Sequence, residues 1–244
     1  MKNTRSGLLA LLVTAAVAGG SGIPVLRAAQ PSNAPAEVYQ GIDVSADNGK
    51  VSWANLKKNP QLEYVYVKAT DGKNGVDPMF KKNSANARKS GLKIGYYHHF
   101  TTDATVMTQF EHFKSTVKPG DMDIYPAVYA DECKKWKGSQ FKENLMWMLT
   151  MMTNYYGGAV LYCDAKFYNK NCAPELNTVM TLLSLPGKKE PVMKGASDGE
   201  ACVIWQFSEK GVIKGVQTPV NLNAFTEGRD LGWITIRKDS TATR

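Results

Sequence analysis

Residues 63–100 read EYVYVKATDGKNGVDPMFKKNSANARKSGLKIGYYHHF and contain a complete strand–helix–strand unit. Apolar, β-branched and aromatic residues dominate both ends of this stretch, as they do in buried strands. Between the two ends, Pro78 suits the first turn of a helix and Gly91 suits the position that ends one, so the pattern predicts a helix over 78–90. Two strands joined in this way are typically parallel, with the helix covering one face of the sheet.

The same alternation continues on both sides of this unit. Further strand-like runs lie at 38–45, 125–132 and 159–164. Helical patterns follow at 53–59, 104–117, 139–156 and 174–185. In the last third, 190–197, 201–208 and 216–225 look like strands separated by glycine-containing turns. The sequence therefore predicts an α/β fold, a TIM-like barrel with five βα units followed by three strands lacking helices.

The N-terminal residues differ in composition from the rest of the chain. Lys2 and Arg5 precede an apolar run at 7–20, and small residues at 28–29 suit cleavage, which is typical of a secretory signal peptide. The alternative is an uncleaved membrane anchor, which the glycines and proline at 19–24 disfavour. We expect export to the periplasm or medium, without stable membrane insertion after cleavage. The expected organisation is a signal peptide at 1–29, a linker at 30–37, a barrel domain at 38–232 and a C-terminal tail at 233–244.

The chain is basic, with a formal net charge of +8. A basic exported domain suits a polyanionic wall or envelope surface. Nucleic acid would attract the same charge, but no nucleic-acid-binding motif is present and the predicted export argues against that partner. A protein partner is compatible with the sequence, although no motif indicates one.

Four cysteines follow the predicted signal peptide, namely Cys133, Cys163, Cys172 and Cys202. An even number in an oxidising compartment favours two disulfides, which allow three pairings. Cys163 and Cys172 are close enough in sequence to close one small loop, which would leave Cys133 with Cys202. Zinc is the alternative, but the chain has no Cys-x-x-Cys spacing and only three histidines, so we expect no metal.

Barrels of parallel strands gather their reactive groups at the C-terminal ends of the strands. The residues at those ends are the acids Asp43, Asp71, Asp131, Glu132 and Asp164, the histidines His98 and His99, and the amides Gln206, Asn221 and Asn223. Asp71 and Asp164 are expected to cap the helices that follow them. Tyr96, Tyr162 and Trp205 are candidates for stacking on sugar rings, although strand alternation allows only some of the aromatic residues to face the lumen.

Six segments occur in an order and spacing that resemble family 25 glycoside hydrolase lysozymes. They are GIDVSADNGKVSW, VYVKATDGKNGVDPMF, KSGLKIGYYHHF, the helix containing Gln109, YPAVYADE and IWQFSEKGVIKGVQTPVNLNAF. The resemblance covers about residues 38–227. It implies a barrel of five βα units and three further strands. It also implies cleavage of the β-1,4 bond between N-acetylmuramic acid and N-acetylglucosamine in peptidoglycan, with no cofactor.

The resemblance also implies roles for particular residues. Asp43 matches the family's first-strand aspartate, and Glu132 matches the glutamate of its Asp-x-Glu pattern, the general acid. Two of the family's acidic positions are replaced, by Ala130 and by Asn221. Neighbouring strand residues point to opposite faces, so Asp131 is expected to look away from the site unless a bulge turns it.

In the predicted mechanism, Glu132 protonates the glycosidic oxygen while Asp43 stabilises positive charge or orients the N-acetyl group. The predicted substrate-binding residues are Asn221, Asn223, His98, Tyr96, Tyr162, Gln206, Trp205 and Asp131. Because two acids are missing, we expect slow turnover with an acidic pH optimum. The main alternative is a catalytically impaired barrel that binds glycan or a protein partner without cleavage, and a third is a changed glycan substrate.

Overall fold

The protein is represented by a computed structural model that describes residues 38–196 and 202–237. The predicted signal peptide and linker lie outside these residues. The strands are β1 Gly41–Val44, β2 Tyr64–Asp71, β3 Gly75–Val76, β4 Lys93–His99, β5 Ala127–Tyr129, β6 Val160–Asp164, β7 Thr181–Ser184, β8 Cys202–Gly211 and β9 Val220–Phe225. The helices are α1 Trp53–Leu56, α2 Phe80–Ser90, α3 Val106–Thr116, α4 Ser139–Tyr156 and α5 Ala165–Asn171. Within this described part, no helix combines the length and the apolar character needed to cross a membrane.

Eight of these strands form a closed barrel in the order β1-β9-β8-β7-β6-β5-β4-β2, and β2 pairs with β1 to complete the ring. Neighbours are parallel except at β9, which runs antiparallel to both β1 and β8. The short β3 folds back on the end of β2. Helices follow β1, β2 with β3, β4, β5 and β6, and among the described residues between β7, β8 and β9 there is no α-helix. The predicted fold class, five βα units followed by three strands, is confirmed.

The fifth unit differs in detail from the prediction. Its helix is α5, which begins directly after β6 because the Asp164 carboxylate accepts two backbone hydrogen bonds of 2.8 and 3.0 Å at the first turn. The expected helix at 174–185 was wrong, since its last part is β7, paired with β6 and β8. The expected strand at 190–197 was also wrong over 190–196, which form no strand. A short, fully buried apolar run such as β7 has no periodicity that separates strand from helix.

The barrel has one apolar layer against the helices and another in the lumen. Tyr64 and Tyr66 are fully buried in the lumen, near its N-terminal end. Gly41 and Gly95 provide the room for these rings. A Cβ atom on Gly41 would lie 2.0 Å from the Tyr64 ring, and one on Gly95 would lie 2.5 Å from the Tyr66 ring. The lumen is therefore packed with side chains at this level.

All four cysteines are free thiols, so the two predicted disulfides are not found. Cys163 and Cys172 are buried, and their thiols hydrogen-bond with each other; burial is the main reason that the pKa of Cys163 is raised. The Cys133 thiol instead donates to Asn171 Oδ1 at 3.6 Å, and the Cys202 thiol donates to a backbone carbonyl of its own strand at 3.6 Å. Among the described residues, no group of three or more His, Cys, Asp or Glu side chains has an arrangement that could hold a metal ion.

Candidate active site

A cavity of about 400 Å³ lies at the C-terminal ends of the barrel strands. Its size falls in the ordinary range for small-ligand sites. It is lined by Asp43, Ser45, Asp47, Asn48, Lys68, Tyr97, His99, Tyr129, Asp131, Tyr162 and Asn221. These side chains combine carboxylates and amides with three tyrosine rings, as expected of a surface that binds polar rings such as sugars.

Asp43 is the most buried acid of this cavity, with 6% of its surface exposed. Its Oδ1 accepts a 2.8 Å hydrogen bond from Asn221 Nδ2, and its Oδ2 accepts a 3.2 Å hydrogen bond from Asn223 Nδ2. The Tyr162 hydroxyl lies 3.3 Å from Oδ1. Burial raises the pKa of Asp43 to about 6, although these three neutral donors oppose the rise. Asp43 is therefore a carboxyl that can hold a proton in mildly acidic solution.

Strand register explains the two amides beside Asp43. In the antiparallel pairing of β1 with β9, Asn221 lies opposite Asp43 and Asn223 lies opposite Gly41. Asn221 lines the cavity, whereas Asn223 is fully buried beneath it. Both predicted amides therefore reach the predicted aspartate, and Asn223 does so from below the cavity surface.

A chain of hydrogen bonds supports Tyr162 from behind. The Tyr162 hydroxyl makes a short hydrogen bond to Gln206 Oε1. Gln206 Nε2 donates to Ser184 Oγ at 3.0 Å, and that hydroxyl donates to Glu209 Oε1 at 2.9 Å. Gln206 is buried and does not line the cavity. Its contact with the site is therefore through Tyr162.

A row of four charged side chains lies beside the cavity, and three of them, Lys68, His99 and Asp131, line it. His99 Nδ1 lies 2.9 Å from Asp71 Oδ2, and His99 Nε2 lies 2.9 Å from Asp131 Oδ1. Lys68 Nζ donates to Asp71 Oδ2 at 2.8 Å. Burial opposes a charge on His99, but its hydrogen bonds to Asp131 and Asp71 outweigh burial and raise the pKa of His99. The hydrogen bond from His99 is the main reason that the pKa of Asp131 is lowered.

Asp71 was expected to cap a helix, and this prediction was wrong. The pairing of β2 with β4 shifts register between Lys68 and Thr70, so that Asp71 lies beside His99. Such an irregularity changes the direction of the side chains that follow it. Partial burial opposes ionisation of Asp71, yet the hydrogen bonds from Lys68 and His99 lower its pKa. No feature of the sequence marks the position of this irregularity.

Asp131, and not Glu132, faces the cavity. Tyr129 and Asp131 both line it, as alternate residues on one face of a strand do, whereas Ala130 between them is buried in the helix-side core. Glu132 does not line the cavity and forms an ion pair with Lys134. The expectation that Asp131 looks away from the site was therefore wrong. Side chains do alternate between the two faces here, but the sequence analysis assigned Glu132 to the cavity face, one residue after the one that lines it.

His98 was predicted to contact ligand, but it is fully buried on the helix side of β4. Its Nδ1 lies 2.7 Å from Thr70 Oγ1, and its Nε2 lies 3.3 Å from Gln109 Oε1. Burial lowers the pKa of His98 to about 3, which leaves the ring neutral. Its neighbour His99, which the prediction passed over, lines the cavity instead.

Tyr96 and Trp205 were also predicted to bind substrate, and neither lines the cavity. Tyr96 is fully buried, and its hydroxyl makes a short hydrogen bond with Ser84 on α2. Trp205 Nε1 donates to the Leu185 carbonyl at 2.8 Å, and the indole packs on the helix-side core. The lumen-facing tyrosine of β4 is Tyr97.

Carboxyl groups among tyrosine rings at the mouth of a closed α/β barrel suit a barrel enzyme that cleaves carbohydrates. Residues 42–216 match the family described as Glycosyl hydrolases family 25. The chain belongs to glycosyl hydrolase family 25 and is a glycoside hydrolase.

Relatives agree with this assignment. The uncharacterized protein YegX of Escherichia coli strain K12 is 28% identical over 190 residues, which cover 76% of this chain and 68% of YegX. The autolytic lysozyme of Clostridium acetobutylicum is 25% identical over 189 residues, or 78% of this chain and 56% of that protein. Among solved structures, a bacterial lysozyme from Streptomyces coelicolor superposes with a TM-score of 0.70 at 23% identity, covering 80% of this chain and 94% of that one. A family 25 glycosyl hydrolase from Bacillus anthracis gives 0.67 at 24% identity, covering 78% and 90%. These two structures support the fold.

Proposed function

We propose that the protein hydrolyses the glycan strands of peptidoglycan at the β-1,4 bond between N-acetylmuramic acid and N-acetylglucosamine. Membership of family 25 and similarity to a protein named autolytic lysozyme support this substrate. Three carboxyl groups, Asp43, Asp47 and Asp131, line one tyrosine-containing cavity, and the observation that carries the proposal is that Asp43 and Asp131 are both among them. Asp47 is exposed, and its carboxylate accepts a hydrogen bond from Ser45. Two carboxyl groups are what glycoside hydrolysis requires.

The two carboxyl groups have opposite electrostatic settings. Burial raises the pKa of Asp43, whereas His99 lowers the pKa of Asp131. Two carboxyls whose pKa values are pushed apart can serve as a proton donor and an anion at the same pH. We therefore propose Asp43 and Asp131 as the catalytic pair, in place of the pair Asp43 and Glu132 that the sequence suggested.

The catalytic role is assigned to Asp131, in place of Glu132, because of which face of the strand points into the cavity. The two acids of the family's Asp-x-Glu pattern act in one site, so they share one face of the strand. Because the cavity face carries Tyr129 and Asp131, we infer that Asp131 occupies the glutamate position and Tyr129 the aspartate position, in place of Glu132 and Ala130. The aspartate carboxyl also sits one methylene nearer the backbone than a glutamate carboxyl would.

Three tyrosines provide the surface for the sugar rings. The Tyr129 and Tyr162 rings lie 4.7 Å apart, and Tyr97 meets Tyr162 edge-on at 6.1 Å. A rigid aromatic cluster of this kind offers apolar faces to a pyranose ring, and the amide of Asn221 lines the same cavity. Export, supported by the composition of residues 1–29, would bring this site to the cell wall.

The test is product analysis on insoluble peptidoglycan. After digestion and borohydride reduction, mass spectrometry is expected to find the new reducing ends on N-acetylmuramic acid. Asp131→Asn and Glu132→Gln form a matched pair of adjacent substitutions. We expect Asp131→Asn to lower the rate about 100-fold or more and Glu132→Gln to leave it within about 3-fold. A larger loss of rate in Glu132→Gln than in Asp131→Asn would assign the catalytic role to Glu132.

The second candidate is a barrel that binds glycan without cutting it. It is favoured by Tyr129 and Asn221, which stand where the family pattern has acids. Its signature is saturable binding to peptidoglycan with no new reducing ends from the wild type. The double variant Tyr129→Asp with Asn221→Asp would then gain activity that the natural chain lacks.

A further inference from the structure

The order of the charged side chains beside the cavity decides which of them carry a proton. From Lys68 the row passes to Asp71, then to His99 and then to Asp131, with successive contacts of 2.8, 2.9 and 2.9 Å. Cationic and anionic groups alternate along the row when His99 is protonated. Asp131 is the member at its end and lines the cavity.

The hydrogen-bonding chemistry of the row requires that protonated form. A neutral imidazole has one N–H donor and one acceptor nitrogen, whereas an ionised carboxylate only accepts. Both nitrogens of His99 face carboxylate oxygens, so only the imidazolium satisfies both contacts. Lys68 shares Asp71 Oδ2 with His99 and so favours the ionised form of Asp71.

The surroundings of Asp43 are different in kind. Its hydrogen-bond partners are the neutral groups of Asn221, Asn223 and Tyr162, and none carries a positive charge. It is also far less exposed than Asp131, whose side chain is 44% accessible to solvent. A buried carboxyl without a cationic partner holds its proton more readily than a half-exposed carboxylate bound to an imidazolium.

We propose that His99 is a positioning residue that keeps Asp131 ionised, so that Asp43 is the proton donor of the reaction. This inference rests on the proposed function. Asp43 gives its proton to the glycosidic oxygen as the bond from that oxygen to C1 breaks. The Asp131 carboxylate stabilises the positive charge that develops at C1. Water then adds to C1, and the proton that it releases returns to Asp43.

Several other groups surround His99 and enter the same titration. They are Lys68 and Asp71 on β2, Tyr97 and His98 on β4, and Tyr129 and Asp131 on β5 and the residues that follow it. The His99 ring also packs on Tyr129, with 5.2 Å between ring centroids. His99→Phe keeps an aromatic ring against Tyr129 and removes the charge, and His99→Gln keeps a hydrogen-bond donor and removes the charge.

The experiment is the pH profile of kcat/KM for the wild type and for both His99 variants. In this account the ionisation of Asp131 sets the acidic limb and the protonation of Asp43 sets the alkaline limb. We expect the acidic limb of both variants to move up by about one pH unit, since a neighbouring charge has such an effect. The loss would then grow as the pH falls through the acidic limb, approach about 10-fold only below the wild-type pKa of Asp131, and stay below about 3-fold at the optimum. His112→Gln, which changes a histidine outside the cavity, is the matched control and should leave both limbs in place.

Two outcomes would overturn the proposal. A shift of the alkaline limb would make Asp131 the proton donor, and an equal loss at every pH would give His99 only a structural role. Titration of the Asp131 carboxyl by carbon-13 NMR in the wild type and in His99→Gln gives a reading that needs no turnover. If the wild type proves inactive but the pKa of Asp131 is higher in His99→Gln, the charged row is supported and the proposed hydrolase activity is refuted. An unchanged pKa of Asp131 would refute the charged row itself.

Discussion

Replacing the buried acid Asp43 by asparagine is expected to stabilise the protein at neutral pH and to do so in a pH-dependent way. The pKa of Asp43 is raised from 3.8 to about 6, mainly by burial. The proton on Asp43 therefore contributes stability that is fully present below pH 3.8 and lost as the pH rises to about 6. At ~1.4 kcal/mol for each pH unit between the two values, the ionised form costs ~3 kcal/mol above pH 6. Asparagine has no charge and avoids this cost.

The hydrogen bonds around residue 43 can adapt to the substitution. Asn223 donates to Asp43 through Nδ2, while its buried Oδ1 has no hydrogen-bond partner. Rotation of the Asn223 amide by half a turn would present Oδ1 to the new side-chain NH₂ group. The part of the change in unfolding free energy that does not depend on pH is therefore expected to be small, so the pH-dependent part can be measured.

The assay is chemical or thermal unfolding of the wild type and Asp43→Asn at a series of pH values from 4 to 8. The stability difference is expected to grow between pH 4 and about 6 and then to level off, which in a domain of this size corresponds to about 6–12 °C in Tm. Asp131→Asn is the control of opposite sign, because the pKa of Asp131 is lowered. Its loss of stability should persist through the whole series. A difference between Asp43→Asn and the wild type that stayed constant with pH would refute the burial argument.

Three further predictions concern other parts of the molecule. Tyr162→Phe removes a hydrogen bond that lowers the pKa of the buried aspartate, so the alkaline limb of the pH profile should move upward in steady-state kinetics. Gly41→Ala places a Cβ atom 2.0 Å from the Tyr64 ring and should cost about 1–3 kcal/mol in urea unfolding, whereas Gly120→Ala meets open space and should stay within about 0.5 kcal/mol. Thiol titration of the denatured protein should find four reactive thiols, and a lower number would show that disulfides form after all.

The architecture could be predicted because its signals are local and repeated. The unit at 63–100 shows two apolar strands and a helix bounded by Pro78 and Gly91, and the structure has strands at Tyr64–Asp71 and Lys93–His99 around a helix at Phe80–Ser90. The segment Thr181–Ser184 was harder, because all four of its residues are buried and no alternation of polar and apolar residues marks it. Only its pairing with both neighbours makes it a strand.

The site was predicted less well because it depends on which face of each strand points inward. A shift of one residue exchanges the two faces, and this is why Asp131 and His99 line the cavity where Glu132 and His98 were expected. Asp43 and Asn221 both line the cavity, because they lie opposite each other in the pairing of the first and last strands. The contact of Asp71 with His99 depends on an irregular register between two strands, and such contacts become visible only in three dimensions.

The most direct measurement is a crystal structure of the Asp131→Asn variant with a tetrasaccharide of alternating N-acetylglucosamine and N-acetylmuramic acid. We expect the sugar rings to lie against Tyr129 and Tyr162, with one glycosidic oxygen about 3 Å from a carboxyl oxygen of Asp43. A glycan bound instead beside Glu132, or elsewhere on the protein with the cavity empty, would contradict the account.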